Sequence, residues 1–173
     1  IQNGPSKTYS RVGVGNVVIN EFMASNDVTV SDQNGEYDDW LELYNNTSEE
    51  IDLSGCFLSD DPENLAQWSF PEGTKIQANG FLIVWADGDE DQGGLHTSFK
   101  LSGSGESIIL IDPSDMSIID SIDFDEQKTD VSYGRDVDGT GTFQTMNATF
   151  AQTNTTSTSI VNIEDVLLNV YPN

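Results

Sequence analysis

From residue 17 to about residue 150 the sequence is a succession of short β-type runs separated by turn residues, and no amphipathic helical stretch of ten residues interrupts it. The first run is Val17-Val18-Ile19-Asn20-Glu21-Phe22-Met23. In residues 40–44 apolar and polar positions alternate, with Leu41 and Leu43 on one face and Trp40, Glu42 and Tyr44 on the other. Residues 56–59, 67–70 and 81–86 follow. The last of these is almost wholly apolar, as expected of a central strand covered on both faces. Further runs occupy 98–101, 107–111, 117–124, 131–135 and 141–144, and in 117–124 the apolar positions are Ile118, Ile122 and Phe124. Asn34-Gly35, Asn79-Gly80, Asp87-Gly88 and Asp138-Gly139 supply the left-handed backbone that tight turns require. Eight to ten short strands with turn chemistry between them predict an all-β sandwich or barrel.

A chain of 173 residues holds one such domain with flanking segments, and it buries enough surface to fold without disulfides or a structural metal. Cys56 is the single cysteine, so no intrachain disulfide is possible. Its β-type surroundings and the lack of a nearby basic residue mark it as an inert core thiol. Residues 1–16 are rich in Gly, Ser and Lys and read as a tether. Residues 151–165 form a Ser/Thr-rich linker, and 166–173 an apolar run that begins another unit. Ile1 is not an initiator methionine, so the chain is expected to be a mature or excised piece of a longer protein. No run approaches the roughly 18 apolar residues of a membrane helix.

Thirty acidic residues against six basic ones give a formal net charge of −24. Such a surface repels phosphate backbones and anionic lipid, which discounts nucleic acid and membrane surfaces as partners. It favours cations, either as a salty or calcium-rich medium or as metal held by converging carboxylates. Acidity that merely keeps a secreted protein soluble is the competing explanation. Asp32, Asn34, Glu36 and Asp39 place oxygen donors at close intervals around the Asn34-Gly35 turn, as a calcium loop does. Asp136-Val137-Asp138-Gly139 has the Asp-x-Asp-Gly spacing of several calcium loops, and Asp136 and Asp138 are its donors. Each segment also reads as a solvated acidic hairpin. A third acidic loop, residues 87–91, lies near His96, the single histidine. No second His and no Cys stand ready to make a softer metal site with it.

Four motifs in order resemble one family. Ile19-Asn20-Glu21-Phe22-Met23-Ala24-Ser25-Asn26 is similar to the opening strand of lamin-tail domains in bacterial secreted proteins. Asp39-Trp40-Leu41-Glu42-Leu43-Tyr44-Asn45 resembles the family's second motif. Ile51-Asp52-Leu53-Ser54-Gly55 with Leu58-Ser59-Asp60-Asp61 resembles its third, and Ser132-Tyr133-Gly134-Arg135 with Asp138-Gly139 its closing one. The resemblance spans residues 17–150 and implies an immunoglobulin-like β-sandwich. Leu168-Asn169-Val170-Tyr171-Pro172-Asn173 resembles the start of the sorting domain carried by cargo of the type IX secretion system of Bacteroidetes, which implies export to the medium or the outer cell surface.

Trp40 suits a sandwich core or its edge. Glu42, among aromatics, is expected to accept hydrogen bonds, and Arg135 to pair with a carboxylate. Gly55 and Gly134 are expected to meet backbone constraints. Catalysis finds no motif: there is no Gly-x-Ser-x-Gly elbow and no phosphate-cradling loop, and abundant carboxylates make an acid pair uninformative. The expected function is therefore a non-catalytic interaction or spacer module within a larger chain, its partner a protein or a glycan. The alternative is a calcium-stabilised carbohydrate- or surface-binding module, which a solvent-exposed face on Trp40, Trp68 or Trp85 beside an acidic loop would favour and burial of all three would count against. A hydrolase is the third reading.

Overall fold

The computed structural model describes residues 13–154. Most of the expected tether and linker, and all of residues 166–173, lie outside the described residues. Eleven strands form the described fold. One sheet has the order β11-β10-β1-β2-β7, built from β1 (Val17–Met23), β2 (Trp40–Asn45), β7 (Phe81–Trp85), β10 (Ser132–Arg135) and β11 (Phe143–Met146). A second has the order β5-β4-β8-β9, from β4 (Phe57–Ser59), β5 (Trp68–Ser69), β8 (Glu106–Asp112) and β9 (Ser117–Phe124). The short strands β3 (Ile51–Asp52) and β6 (Lys75–Ile76) pair with each other. All pairings within strands are antiparallel, as the sandwich reading requires. Val14, ahead of β1, is buried against the core.

The main core lies between the sheets and gathers Val17, Ile19, Phe22, Leu41, Leu43 and Val84 from one with Leu58, Ile108, Leu110 and Phe124 from the other. Val17 and Ile19 have odd numbers and Phe22 and Ala24 even ones. A strict two-residue period cannot put all four on one face. The register of β1 against β2 resolves this: Ile19 faces Leu43 and Glu21 faces Glu42, with a shift between them. Asn20 is the extra residue of a β-bulge, and the bulge reverses the parity of the strand. Cys56 lies fully buried in the same core.

Beyond the bulge, the backbone of Ile19 is bound by side chains. Its N–H donates to Asp120 Oδ2 at 2.9 Å, and its carbonyl accepts from Arg135 Nε at 2.8 Å. Arg135 Nη2 also meets Asp120 Oδ2 at 3.1 Å, and its guanidinium lies over the Phe143 ring. The expected ion pair of Arg135 thus joins β10 of one sheet to β9 of the other.

The outer face of the five-stranded sheet is also covered. Glu21 and Glu42 sit opposite each other there, flanked by Met23, Trp40 and Trp85, which form a second small core. After β11 the chain turns back across this face as a strap. Phe150 packs edge-on to Trp40, with ring centres 5.1 Å apart, and against Trp85 at 5.6 Å. The strap's polar groups serve the two glutamates: Thr149 N–H and its hydroxyl donate to Glu21, and Ala151 N–H donates to Glu42 Oε2 at 2.7 Å. Asn20 Nδ2 donates to Glu42 Oε1 at 2.9 Å. Asn154 closes the strap by donating to the Arg135 carbonyl at 2.7 Å. Gly134 fits this arrangement closely, since a Cβ there would meet Glu21 Cγ at 3.0 Å and Met146 Sδ at 3.1 Å. Gly55 takes a left-handed φ of 71° at its turn.

The structure differs from the sequence expectation at three places. The apolar run 81–86 is not a central strand: β7 is the edge of its sheet, with Phe81, Leu82 and Ile83 half-buried. It reads as wholly apolar because its two faces serve different cores, Leu82 and Val84 the inner one, Ile83 and Trp85 the outer one. In β9, Ile118 is exposed while Ile122 and Phe124 reach the core. A register shift between Leu110 and Ile111 breaks the period, so Ile119 packs inward in its place. The run 98–101 forms only an isolated bridge at Lys100.

Burial pushes the Glu42 carboxyl up to about 7, against the Asn20 and Ala151 donors that lower it, with Glu21 and Asp138 adding repulsion. Glu106, at the start of β8, is likewise raised to about 7, by burial first and then by Asp60 and Asp39. A carboxyl whose folded pKa exceeds its unfolded value of 4.5 binds more protons when folded, so stability is present below that value and declines as pH rises through about 7.

Two measurements follow from this architecture. Trp40→Ala, at a site with no solvent exposure, should cost about 3–5 kcal/mol of stability in urea denaturation; a near-zero change would place the ring outside the core. Urea midpoints should fall between pH 5 and pH 8, and Glu106→Gln should flatten that fall while keeping the acceptor for Ser102 N–H, which lies 2.6 Å from Oε1. A pH slope unaltered by the substitution would contradict the assignment.

Candidate functional site

The strand directions give the sandwich two distinct poles. β1 runs from Val17 to Met23 and β2 returns, so the connection 24–39 stands at one pole and residues 45–49 at the other. Residues 86–100, which follow β7, join the first pole. The Asp138-Gly139 turn lies at the second, where Asn46 Nδ2 donates to the Gly139 carbonyl at 2.9 Å and Asn46 N–H to the Asn16 carbonyl at 3.1 Å. Asn154 N–H donates to Asp138 Oδ1 at 3.0 Å. The described chain therefore starts and finishes near one pole, and the loops 24–39 and 86–100 occupy the other.

At that loop pole lies a cleft of about 270 Å³ bordered by Asn26, Asp27, Tyr37, Asp38, Asp87 and Lys100. An acidic turn, residues 32–36, leads directly into the lining residues Tyr37 and Asp38. Asp32 caps the turn through Oδ1, which accepts the N–H groups of Asn34 and Glu36 at 2.8 Å each. Gly35 adopts a left-handed φ of 84°, and Asp32 N–H donates to the Glu36 carbonyl at 2.9 Å. Of the Asn34-Gly35 pair, Gly35 takes the left-handed backbone expected from the sequence and Asn34 does not, and no strand flanks the turn. Asp32, Glu36 and Asp38 bring one carboxylate oxygen each within 4.8 Å of the others. Asp32 Oδ2 and Asp38 Oδ2 are buried with no hydrogen-bond partner. Burial raises the Asp38 carboxyl above its ordinary value, with repulsion from Asp87, Glu36 and Asp32 adding to it and Lys100 opposing.

The other sequence candidates are placed differently. Asn34 Nδ2 donates to Gln92 Oε1 at 2.7 Å, and Gln92 Nε2 donates to Glu36 Oε2 at 2.6 Å, so this side chain laces the two loops together. Asp39 Oδ1 accepts from Asn26 N–H at 3.3 Å, and burial pushes its carboxyl up to about 6. Asp136 and Asp138 stand at the opposite pole. Asp136 Oδ1 accepts from Thr142 N–H at 2.8 Å, and Asp138 Oδ1 from Asn20 Nδ2 at 3.0 Å. The structure thus joins Asp32 and Glu36 to Asp38, which the sequence pattern did not select.

His96 is buried beside the acidic turn. Its Nδ1 bonds Asp87 Oδ2, its Nε2 meets Gln33 Nε2 at 2.8 Å, and its ring stacks on Trp85. With Gln33 donating to Nε2, the ring proton sits on Nδ1 and faces Asp87. Both nitrogens are engaged, and the histidine pins residues 86–96 to the acidic turn.

The three tryptophans are all buried, Trp40 fully, Trp68 to 6% exposure and Trp85 to 8%. Trp68 packs edge-on to Phe70, with ring centres 4.9 Å apart. None presents an exposed stacking face, which counts against the glycan-binding alternative.

No curated protein matches the chain. The family model described as Lamin Tail Domain matches residues 12–126, which takes in three of the four motifs and stops short of the closing one at 132–139. Two-thirds of the sequence and an immunoglobulin-like sandwich built on the same opening motifs agree, and the chain belongs to the lamin tail domain family.

Proposed function

We propose that this domain is a non-catalytic interaction module of a secreted or cell-surface multidomain bacterial protein, and that it meets its partner through the acidic loops at the pole remote from its chain ends. The observation that carries the reading is this polarity. The described chain enters and leaves near Asn16 and Asn154, while Asp27, Glu90 and Asp91 stand exposed on the opposite loops. A domain tethered at one pole offers the other for contact, and a concentrated negative field there steers a cationic protein surface onto it.

The engagement of both His96 nitrogens supports a non-catalytic role, because a general base needs a free nitrogen within reach of its substrate. Burial of all three tryptophans favours a protein partner over a glycan. Export rests on the likeness of residues 168–173 to a sorting segment.

A lysine-rich peptide on a biosensor tests the polarity. The triple variant Asp27→Asn, Glu90→Gln, Asp91→Asn should slow association several-fold at low salt, since close charges govern encounter rates. The matched triple Glu49→Gln, Glu72→Gln, Asp115→Asn, at the opposite pole, should leave the rate nearly as it was. Equal losses in the two variants would overturn the assignment of the contact surface.

A further inference from the structure

We infer that Asp32, Glu36 and Asp38 form a calcium site that locks the two acidic loops together, an assignment that goes beyond the interaction role. Two independent features converge on it. The first is spacing. Oxygens that share one calcium at about 2.4 Å lie no more than about 4.8 Å apart, and one oxygen from each of the three carboxylates satisfies that limit. The second is an unmet need. Asp32 is 8% exposed, and its Oδ2 is buried without any hydrogen-bond partner while Oδ1 is fully used by the turn. Asp38 Oδ2 is in the same condition.

A buried carboxylate oxygen without a donor costs free energy, and further carboxylates beside it add repulsion. Proteins resolve such a site with donors, with water or with a cation. Here the donors within reach are already committed. The turn's N–H groups go to Asp32 Oδ1, the Gln92 amide to Glu36 Oε2, and the Gln33 amide to His96. Lys100 is exposed and acts on Asp38 from the cleft side. A divalent cation held by the three carboxylates offsets their mutual repulsion and offers the two orphaned residues, Asp32 and Asp38, the partner they lack.

The donor set selects the metal. All three ligands are carboxylates, the hard oxygen donors that suit calcium or magnesium rather than zinc or copper. Glu36 is exposed and Asp38 half-buried, so water can complete the six to eight ligands that calcium takes. Magnesium requires near-ideal octahedral geometry at shorter distances, which a turn with one carboxylate already fixed by two backbone N–H groups does not readily meet. The site joins the connection 24–39 to residues 86–96, because Glu36 is bound to Gln92. Cation binding therefore stiffens the loops of the cleft.

The test uses the purified chain after chelator treatment, in 0.15 M sodium chloride so that general screening of the acidic surface is already in place. A ligand that binds only the folded state stabilises by mass action, so 1 mM calcium should raise the melting temperature by several degrees, and calorimetry should count one calcium per chain. Asp38→Asn should abolish the calcium-induced rise while leaving the metal-free melting temperature equal or higher, since it removes one of three repelling charges. Glu36→Gln, on an exposed residue outside the core, should weaken binding at least tenfold with no loss of metal-free stability. The assignment fails if chelated protein shows no shift in calcium, if Asp38→Asn keeps the full shift, or if magnesium gives an equal one. Neither variant touches Asp27, Glu90 or Asp91, so loss of this site and loss of the peptide-binding pole are separately readable.

Discussion

The bulge at Asn20 is the constraint on which the rest of the sandwich depends. β1 is the middle strand of its sheet, between β10 and β2. Without the extra residue, Ile19 and Phe22 would point to opposite sides, and the core would lose one of them. With it, Val17, Ile19 and Phe22 all face inward, and Glu21 is delivered to the outer face opposite Glu42. The bulge also removes Ile19 from regular pairing on the β10 side, and Asp120 and Arg135 take over its backbone groups. One inserted residue thereby links the two sheets and charges the outer face.

That outer face shows how a very acidic chain accommodates buried carboxylates. Two glutamates directly opposite on neighbouring strands repel each other, yet both are fully buried. The strap supplies what they need. Backbone and hydroxyl donors from Thr149 and Ala151 and the amide of Asn20 bond the two carboxylates, and Phe150 seals the indole of Trp40 from water. The acidic turn at the loop pole has no such full set of donors, since Asp32 Oδ2 and Asp38 Oδ2 are buried without a hydrogen-bond partner, and the inferred calcium site rests on that difference.

Strand existence was legible because two-residue periods and Asn-Gly or Asp-Gly turns are local signals. What the local signal could not carry was which face is which when both are covered. In 40–44 the alternation was correct, but both faces proved buried, one against the second sheet and one beneath the strap. The run 81–86 misled for the same reason, and Ile118 because a bulge in its hairpin is a tertiary adjustment. β3 and β6, of two residues each, are too short to show a period at all. In the acidic loop, Asp32 and Glu36 were visible as alternating donors. Whether the third carboxylate would be Asp38 or Asp39 depends on where β2 begins: Asp39 directly precedes Trp40 and turns to Asn26 N–H, leaving Asp38 to face the turn.

The strap also fixes where this domain can be cut. The family match stops at residue 126, but β10, β11 and the strap come later. Truncation there would strip the partner from one side of β1 and uncover Met23, Trp40 and Trp85 together. An unpaired strand edge beside a bare aromatic patch is a template for intermolecular association. A soluble fragment must therefore extend through Asn154, whose side-chain amide fastens the strap to Arg135.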